Sequence, residues 1–271
     1  MSTTTAPRSR IDPRMAQRRR SVTLARVQHR RRVVAAIIVT VIVVAGLVAL
    51  TRSPVLDVDA IEVQGAPTAS GAEAVQAAAS VALGDPMVDL DAHVVVERVE
   101  EIAWVRTAEV GRDWPGTVVV AVAPRSPVVA VGRSAGAADR ATTWALVDAD
   151  GVIMDEVDGV PPDVPVLLGA AATGPLGAHV ESELEAGLAA ADAFPASMAP
   201  ALDHFALTDR GVDLVMGSGG TMTVNVGATT DITAAYQSLA ALFEAGELTC
   251  AATVDLEVPG RPLLTRRPDC P

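Results

Sequence analysis

An uncharged apolar run at residues 33–50 constrains this chain more than any other feature of its sequence. Twelve of its eighteen residues are Val, Ile or Leu. As an α-helix the run would be ~27 Å long, close to the thickness of the hydrocarbon core of a bilayer. Thr40 is compatible with such a helix, because its hydroxyl can bond back to a helical carbonyl oxygen. The run therefore predicts a transmembrane helix that holds the chain in the lipid bilayer.

Charge is distributed unevenly on the two sides of this run. Residues 1–32 hold ten Arg and one acidic residue, a net charge of +9, whereas residues 33–271 hold eleven Arg and thirty-two acidic residues, a net charge of −21. Because basic flanks stay in the cytoplasm, residues 1–32 are predicted to be a cytoplasmic tail and the rest to lie outside the cytoplasm. A cleaved signal peptide is the alternative, but the run is long for one and no clear cleavage site follows it.

The sequence offers few residues for catalysis or for small ligands. Its four His stand apart from one another and from its two Cys, which argues against a metal centre. His204 beside Asp203, together with Ser218, invites comparison with a hydrolase triad. The nucleophile pattern G-x-S-x-G is nevertheless absent around Ser218, because Met216 occupies its first position. The glycine-rich residues 217–220 lack the Lys-Ser/Thr pair of a phosphate loop. We expect no catalytic, cofactor-binding or metal-binding residue, no small-molecule substrate and no enzymatic activity.

Three charged or aromatic segments have simple structural interpretations. The Arg clusters of the tail lack interleaved aromatic residues, so membrane topology and anionic lipid headgroups explain them without a nucleic acid. Asp148-Ala149-Asp150-Gly151 lacks the ligand spacing of a calcium loop and suits a tight hairpin turn. Trp114-Pro115 is expected to form a turn at a strand end, with the indole packed on its domain.

The first ~70 residues after the apolar run, residues 54–124, predict an α+β domain of order β-α-α-β-β. Ser70 and Glu73 form a capping box, which predicts a helix start, and Gly84 predicts the end of that helix. Asp91 is the predicted N-cap of the second helix. The strands are predicted at residues 61–63, 104–110 and 117–123.

Residues 125–258 predict a strand-rich domain. Period-two alternation marks strands at 212–216 and 222–226. Asp231 is the predicted N-cap of the clearest helix in the chain, and a last strand follows at 253–258. Residues 132–142 are expected to be a loop, and residues 259–271, rich in Pro and Arg, a flexible tail.

Four short segments follow the single apolar run in a distinctive order: Ile61-Glu62-Val63-Gln64-Gly65, then Trp104-Val105 with Arg112-Asp113-Trp114-Pro115, then Leu146-Val147-Asp148-Ala149-Asp150-Gly151-Val152, then Val254-Asp255-Leu256-Glu257-Val258-Pro259-Gly260-Arg261. In this order they resemble the FtsQ/DivIB family of bacterial cell division proteins. The Ala- and Arg-rich, Lys-free composition resembles its actinobacterial members. One departure is Pro124-Arg125-Ser126-Pro127, where the family commonly has Glu-Arg-x-Pro, so any salt bridge of that Glu is missing.

The resemblance implies a basic cytoplasmic tail, one transmembrane helix, a POTRA domain at 54–124 and an FtsQ-type β domain at 125–258. It implies a non-enzymatic scaffold in the cell membrane at the division septum. Such a scaffold would recruit FtsB- and FtsL-type partners and help control septal peptidoglycan synthesis, with the POTRA domain taking part in recruitment. The alternatives are another POTRA-bearing envelope assembly scaffold and a membrane-tethered cell-wall hydrolase.

The last predicted strand is the candidate docking site. It is short, alternating and charged on its outer face, as an edge strand often is. A partner peptide can add itself to such an edge, and in the family this strand, with the helix before it, receives FtsB. The implied partner-binding residues are Tyr236, Thr253, Val254, Asp255, Leu256, Glu257 and Val258. On this interpretation Leu256→Pro would remove a docking donor.

Cys250 and Cys270 flank this last strand on the exported side. A disulfide between them would hold the C-terminal tail across the end of the strand. Two free thiols are the alternative.

Overall fold

A computed structural model of the protein describes residues 13–134, 142–217, 222–227, 231–258 and 260–268, with the side chains of its first helix described from residue 30. The predicted loop at 132–142 therefore lies mostly outside the described residues, as do the first twelve residues of the tail. The chain divides into two compact units.

The first unit begins with helix α1, Pro13–Thr51. Its segment Arg30–Leu50 is long and apolar enough to cross a membrane, with a mean hydropathy of 3.1, and the protein buries none of it. The Thr40 hydroxyl donates to the carbonyl oxygen of Ala36 at 2.9 Å, as the sequence predicts. An apolar surface of this extent needs an apolar environment, and a bilayer provides one.

Three short segments complete the first unit: the chain from α1 to residue 60, residues 82–90 and residues 113–117. The backbone N–H of Met87 donates to Leu56 O at 3.1 Å, and that of Asp59 donates to Gly116 O at 2.7 Å. The first segment is thus hydrogen-bonded to each of the other two. The expectation that the Trp114 indole packs on its domain is wrong, because half of this side chain is exposed.

The smaller sheet has three strands in the order β1-β3-β2, with β1 at Ala60–Gln64, β2 at Val105–Asp113 and β3 at Thr117–Pro124. Helices α2, Ala69–Ala79, and α3, Ala92–Glu100, lie between β1 and β2 in the chain. Their apolar faces bury Val75 and Ala79 of α2 and Val95 and Val99 of α3.

For the ends of α2 and α3, one prediction from the sequence is confirmed and two are wrong. Asp91 caps α3 as predicted, accepting from the N–H of His93 at 3.1 Å. Helix α2 starts earlier than the capping box indicates, because Thr68 Oγ1, and not Ser70, accepts from the N–H of Gly71 at 3.0 Å. It also ends before Gly84, at Ser80, which adopts a left-handed conformation with φ of 50°.

The larger sheet holds nine strands among the described residues, in the order β12-β11-β10-β9-β8-β7-β4-β5-β6. Pairs β4/β7, β7/β8 and β10/β11 are parallel and the other five are antiparallel. The strands are β4 Pro127–Gly132, β5 Thr143–Asp148, β6 Ile153–Asp158, β7 Val166–Leu168, β8 Leu202–Thr208, β9 Gly211–Met216, β10 Met222–Gly227, β11 Ala251–Asp255 and β12 Leu263–Arg266.

Two helices, α4 at Glu185–Asp192 and α5 at Ile232–Glu244, pack on the apolar face of this sheet. Helix α4 approaches β7 so closely that a Cβ on Gly187 would lie 2.5 Å from Leu167. Leu188 of α4 and Leu239 of α5 join the core that the strands supply. The helices therefore fix the strands nearest the C-terminus to the body of the sheet.

Arg125 joins β2 of the smaller sheet to the β5–β6 turn of the larger sheet. Its Nε donates to Val105 O at 3.1 Å and its Nη1 to Asp148 Oδ2 at 2.6 Å. The other carboxylate oxygen of Asp148 accepts from the N–H of Val152 at 2.8 Å, which closes the predicted hairpin. Pro124 stands where the sequence resemblance leads one to expect Glu, but the neighbouring Arg125 makes a partly buried ion pair with Asp148.

Candidate functional site

The C-terminal end of the larger sheet is built from β10, α5, β11 and β12. Asp231 caps α5 as predicted, accepting from the N–H of Ala234 at 2.9 Å. Helix α5 then connects β10 to β11, which lie side by side and parallel. A helical crossover is the usual connection between parallel neighbours. Strand β11 is thereby placed next to the body of the sheet.

The predicted docking strand has no open edge. Strand β11 pairs with β10 on one side and with β12 on the other. The N–H of Leu256 donates to Asn225 O of β10 at 2.8 Å, so Leu256→Pro would remove a hydrogen bond that holds the chain to β10. The expectation that residues 253–258 form the edge is therefore wrong: the strand runs over Ala251–Asp255, and residues expected to be a tail add a further strand outside it.

In the part of the chain that the structure describes, β12 is the outermost strand at this end of the sheet. The N–H of Arg267 donates to Cys250 O at 2.9 Å, toward β11. Because successive N–H groups of a strand point to opposite sides, those of Leu264 and Arg266 point away from β11. The backbone of β12 thus presents donors and acceptors to an incoming strand.

The side chains of β12 differ between its two faces. Leu264 packs against the main core, whereas Leu263 is 70% exposed. Arg266 Nη2 lies 2.8 Å from Glu247 Oε2 in an exposed ion pair. A partner strand would meet one exposed apolar side chain and one cation at this edge.

The opposite end of the sheet offers a poorer edge. Strand β6 carries Asp155, Glu156 and Asp158, and acidic residues are a common protection against edge pairing. Its first residue is also covered, because the N–H of Ile153 donates to Ala178 O at 2.9 Å. Of the two ends, β12 is therefore the more favourable docking edge.

Tyr236, predicted to bind the partner, is a core residue. It is 2% exposed, and its hydroxyl donates to Ala190 O at 2.8 Å. Its ring meets that of Phe194 edge to face at 5.4 Å between centroids. Burial raises the pKa of Tyr236 well above its usual value. No face of the ring is exposed in the described structure, and the predicted contact of this side chain with a partner stays a prediction.

The other predicted docking residues divide between core and surface. Val254 and Leu256 are buried, and Asp255 is half-buried. Thr253, Glu257 and Val258 are exposed and available to a partner that covers this end of the sheet.

Asp255 ends β11 by accepting from the N–H of Glu257 at 2.9 Å. The Glu257 side chain lies against Gly227, where φ is +64° and an added Cβ would meet it at 2.7 Å. The end of β11 is therefore fixed against the end of β10.

Cys250 immediately precedes β11 and is disulfide-bonded. Cys270 is the only other cysteine of the sequence, and it lies outside the described residues. The pairing of the two therefore stays a prediction.

The described residues contain no group of three or more His, Cys, Asp or Glu that could hold a metal ion. His204 Nδ1 and Asp203 Oδ2 are 2.9 Å apart, and Ser218, considered with them from the sequence, lies outside the described residues. Among the described residues, the feature suited to binding is the outer edge of β12.

Sequence reasoning missed β12 because Pro262 and Pro268 bracket it. Thr265 is nevertheless a residue type enriched in strands, and it follows the two apolar residues Leu263 and Leu264. Pro at both ends is compatible with a short edge strand, since an edge leaves N–H groups unused. That combination of residues is the pattern that could have revealed it.

Comparison with known proteins gives a consistent result. Residues 56–125 match the family "POTRA domain, FtsQ-type". The chain is 32% identical to the cell division protein FtsQ of Zymomonas mobilis over 188 residues, which cover 68% of this chain and 53% of that protein. It is 31% identical to FtsQ of Streptomyces venezuelae over 138 residues, 51% of this chain and 48% of that protein. The matched segment thus spans about half the length of each of these two relatives.

Proposed function

We propose that this chain, which belongs to the FtsQ family of bacterial cell division proteins, is a non-enzymatic scaffold of the division septum. It is anchored by α1, with its N-terminus in the cytoplasm and its POTRA domain (54–124) and β domain outside. The β domain begins at residue 125 and extends past residue 258 to include β12. The role of the protein is to bring FtsB- and FtsL-type partners to the septum and so help control septal peptidoglycan synthesis. The open edge of β12 is the observation that carries this proposal.

The proposed mechanism is strand addition. A partner segment pairs with the outward-pointing N–H and C=O groups of Leu264 and Arg266 and extends the sheet by one strand. Exposed Leu263 and the exposed side chains of Thr253 and Val258 provide neighbouring contacts. The docking site proposed here thus lies one strand further out than residues 253–258.

The test removes one outward donor from the edge. Arg266→Pro deletes an N–H that the sheet itself does not use, and a proline is tolerated on an edge strand. A bound partner would lose one hydrogen bond and leave an acceptor unpaired, which costs about 1–3 kcal/mol, or roughly 5-fold to 100-fold in affinity. Calorimetry with a purified FtsB–FtsL-type pair from the same cell measures it.

Arg266→Ala is the matched control, since it loses the same ion pair to Glu247 but keeps the backbone donor. We expect its affinity to stay within a few-fold of the parent, because exposed ion pairs contribute about 0–1 kcal/mol. Thermal unfolding of both variants checks that the sheet is intact. Equal affinity of the folded Pro and Ala variants would exclude strand addition at β12.

A further inference from the structure

Three segments meet just beyond the end of α1, and each exposes large apolar side chains. Val55 follows the helix, Leu83 and Val88 lie in residues 82–90, and Trp114 lies in residues 113–117. Their exposed fractions are 67%, 65%, 47% and 53%. Clustered exposed apolar residues of this kind mark a protein or membrane contact. We call these four residues the apolar tip.

Backbone hydrogen bonds bring the members of the tip together. The N–H of Val58 donates to Asp85 O at 2.8 Å, and that of Gly84 donates to Val58 O at 2.8 Å. With the bond from the N–H of Met87 to Leu56 O, they align residues 56–58 antiparallel to residues 84–87. Val55 and Val88 are the next residues beyond the Leu56–Met87 pair. On the other side of the first segment, Gly116 holds the turn that carries Trp114.

The tip is tied closely to the end of the apolar helix. Val55 comes five residues after Leu50, so at most ~17 Å of extended chain separates them. The N–H of Ser53 donates to Leu50 O at 3.2 Å, and Arg52 Nη2 lies 3.5 Å from Asp89 Oδ1. The headgroup region beyond the hydrocarbon core is about 5–8 Å thick on each side of a bilayer. If α1 crosses the bilayer, Val55 therefore lies at most ~17 Å from the end of the apolar helix, a range that includes the headgroup region.

We infer that the apolar tip, with Trp114 as its one aromatic side chain, inserts into the lipid headgroup region where α1 leaves the bilayer. An indole suits this depth because it joins an apolar ring to one N–H donor. The inference rests on the proposed function only in that α1 must span the membrane.

The three segments are net acidic, so electrostatic attraction to lipid headgroups cannot drive insertion of the apolar tip. Burial of its apolar side chains is the driving force. Residues 52–60, 82–90 and 113–117 contain one Arg and five Asp: Arg52, Asp57, Asp59, Asp85, Asp89 and Asp113. Anionic lipids therefore repel this surface, and added salt weakens that repulsion. A basic peripheral membrane site would show the opposite dependence.

The test uses the full chain reconstituted in phosphatidylcholine nanodiscs that carry a brominated lipid, which quenches tryptophan near the headgroups. The difference in fluorescence between the parent and Trp114→Phe isolates Trp114, because both proteins keep Trp104 and Trp144. We expect most of the Trp114 emission to be lost in the brominated discs. Replacing part of the phosphatidylcholine with phosphatidylglycerol at low salt should reduce this loss, and high salt should restore it.

The triple variant Val55→Ser, Leu83→Ser, Val88→Ser keeps Trp114 and removes the rest of the tip. Its Trp114 emission should be quenched several-fold less than that of the parent. Unquenched Trp114 in the parent, in discs that retain the protein, would overturn the inference and leave the scaffold proposal standing. A protein that is not retained by the discs would remove the anchor and overturn both.

Discussion

Asp213 is a buried acid on the opposite face of β9 from the main core. It is 8% exposed, and one of its carboxylate oxygens, Oδ1, has no hydrogen-bond partner. Its cross-strand neighbour is Asn225, whose Oδ1 is also buried without a partner. Burial raises the pKa of Asp213, and the charge of Arg210 opposes this shift only in part.

A raised pKa in the folded state makes Asp213 a pH-dependent source of instability. The folded protein holds the proton more tightly than the unfolded chain, whose ordinary value is 3.8. The contribution of Asp213 to the free energy of unfolding is therefore fully present below about pH 3.8, the ordinary pKa. It is lost as the pH rises through the raised pKa of the folded state. We expect Asp213→Asn to raise the melting temperature at pH 7 relative to the parent, and to do so less at pH 4. An equal difference at both pH values would contradict this assignment.

Arg125 gives a second residue-level prediction, because its removal leaves the nearly buried Asp148 carboxylate without a cation. Their side chains are 16% and 4% exposed. Breaking a buried pair by removing one partner costs about 3–5 kcal/mol, so Arg125→Ala should reduce the free energy of unfolding by about that amount. Denaturant unfolding measures it. Arg106→Ala is the control, since its pair with Asp150, at 3.1 Å, is about half exposed and should contribute about 0–1 kcal/mol.

At the level of elements, what the sequence predicts well depends on local chemistry. Asp91 and Asp231 were identifiable as caps because the carboxylate bonds to an N–H within three residues. The start of α2 was misplaced because both Thr68 and Ser70 are favourable N-caps, and Ser70 is the better of the two by residue preference although Thr68 is the cap used. Strand β12 and the edge it forms depend on pairing with β11, which no periodicity within four residues can show.

Two alanine substitutions test the position of the α2 cap. Thr68→Ala removes the acceptor of the Gly71 N–H and should lower the free energy of unfolding by about 1 kcal/mol. Ser70→Ala should change it by no more than a few tenths of a kcal/mol, since Ser70 accepts no backbone N–H at the helix start. A larger loss for Ser70→Ala than for Thr68→Ala in thermal or denaturant unfolding would restore the capping box.

At the scale of the whole molecule, the similarity to FtsQ proteins was accessible from the sequence because it depends on the order of motifs along the chain. The position of the sheet edge was not accessible, because nothing in the sequence near Tyr236 and Leu256 shows that both side chains are buried in the core. An alternating strand next to a helix looks the same in sequence whether it lies at the edge of a sheet or one strand inside it. The location of the edge follows only from the order of all nine strands.

The scaffold proposal predicts where the whole protein goes in a dividing cell. An N-terminal fluorescent fusion should form a band at midcell before constriction begins, and Arg266→Ala should do the same. Uniform fluorescence around the envelope, from an intact fusion that complements loss of the native protein, would instead favour a general POTRA-bearing assembly scaffold.

The register of β12 has a mechanical consequence. Four residue pairs align it with β11. A force along the strands would stretch all of the hydrogen bonds between them together, whereas a force across the strands would break them one after another. An added partner strand would be loaded in the same two ways. We therefore expect the attachment to resist tension along the strand axis and to yield to peeling, so that the direction of pull at a constricting septum, as well as affinity, determines how long the partners stay attached.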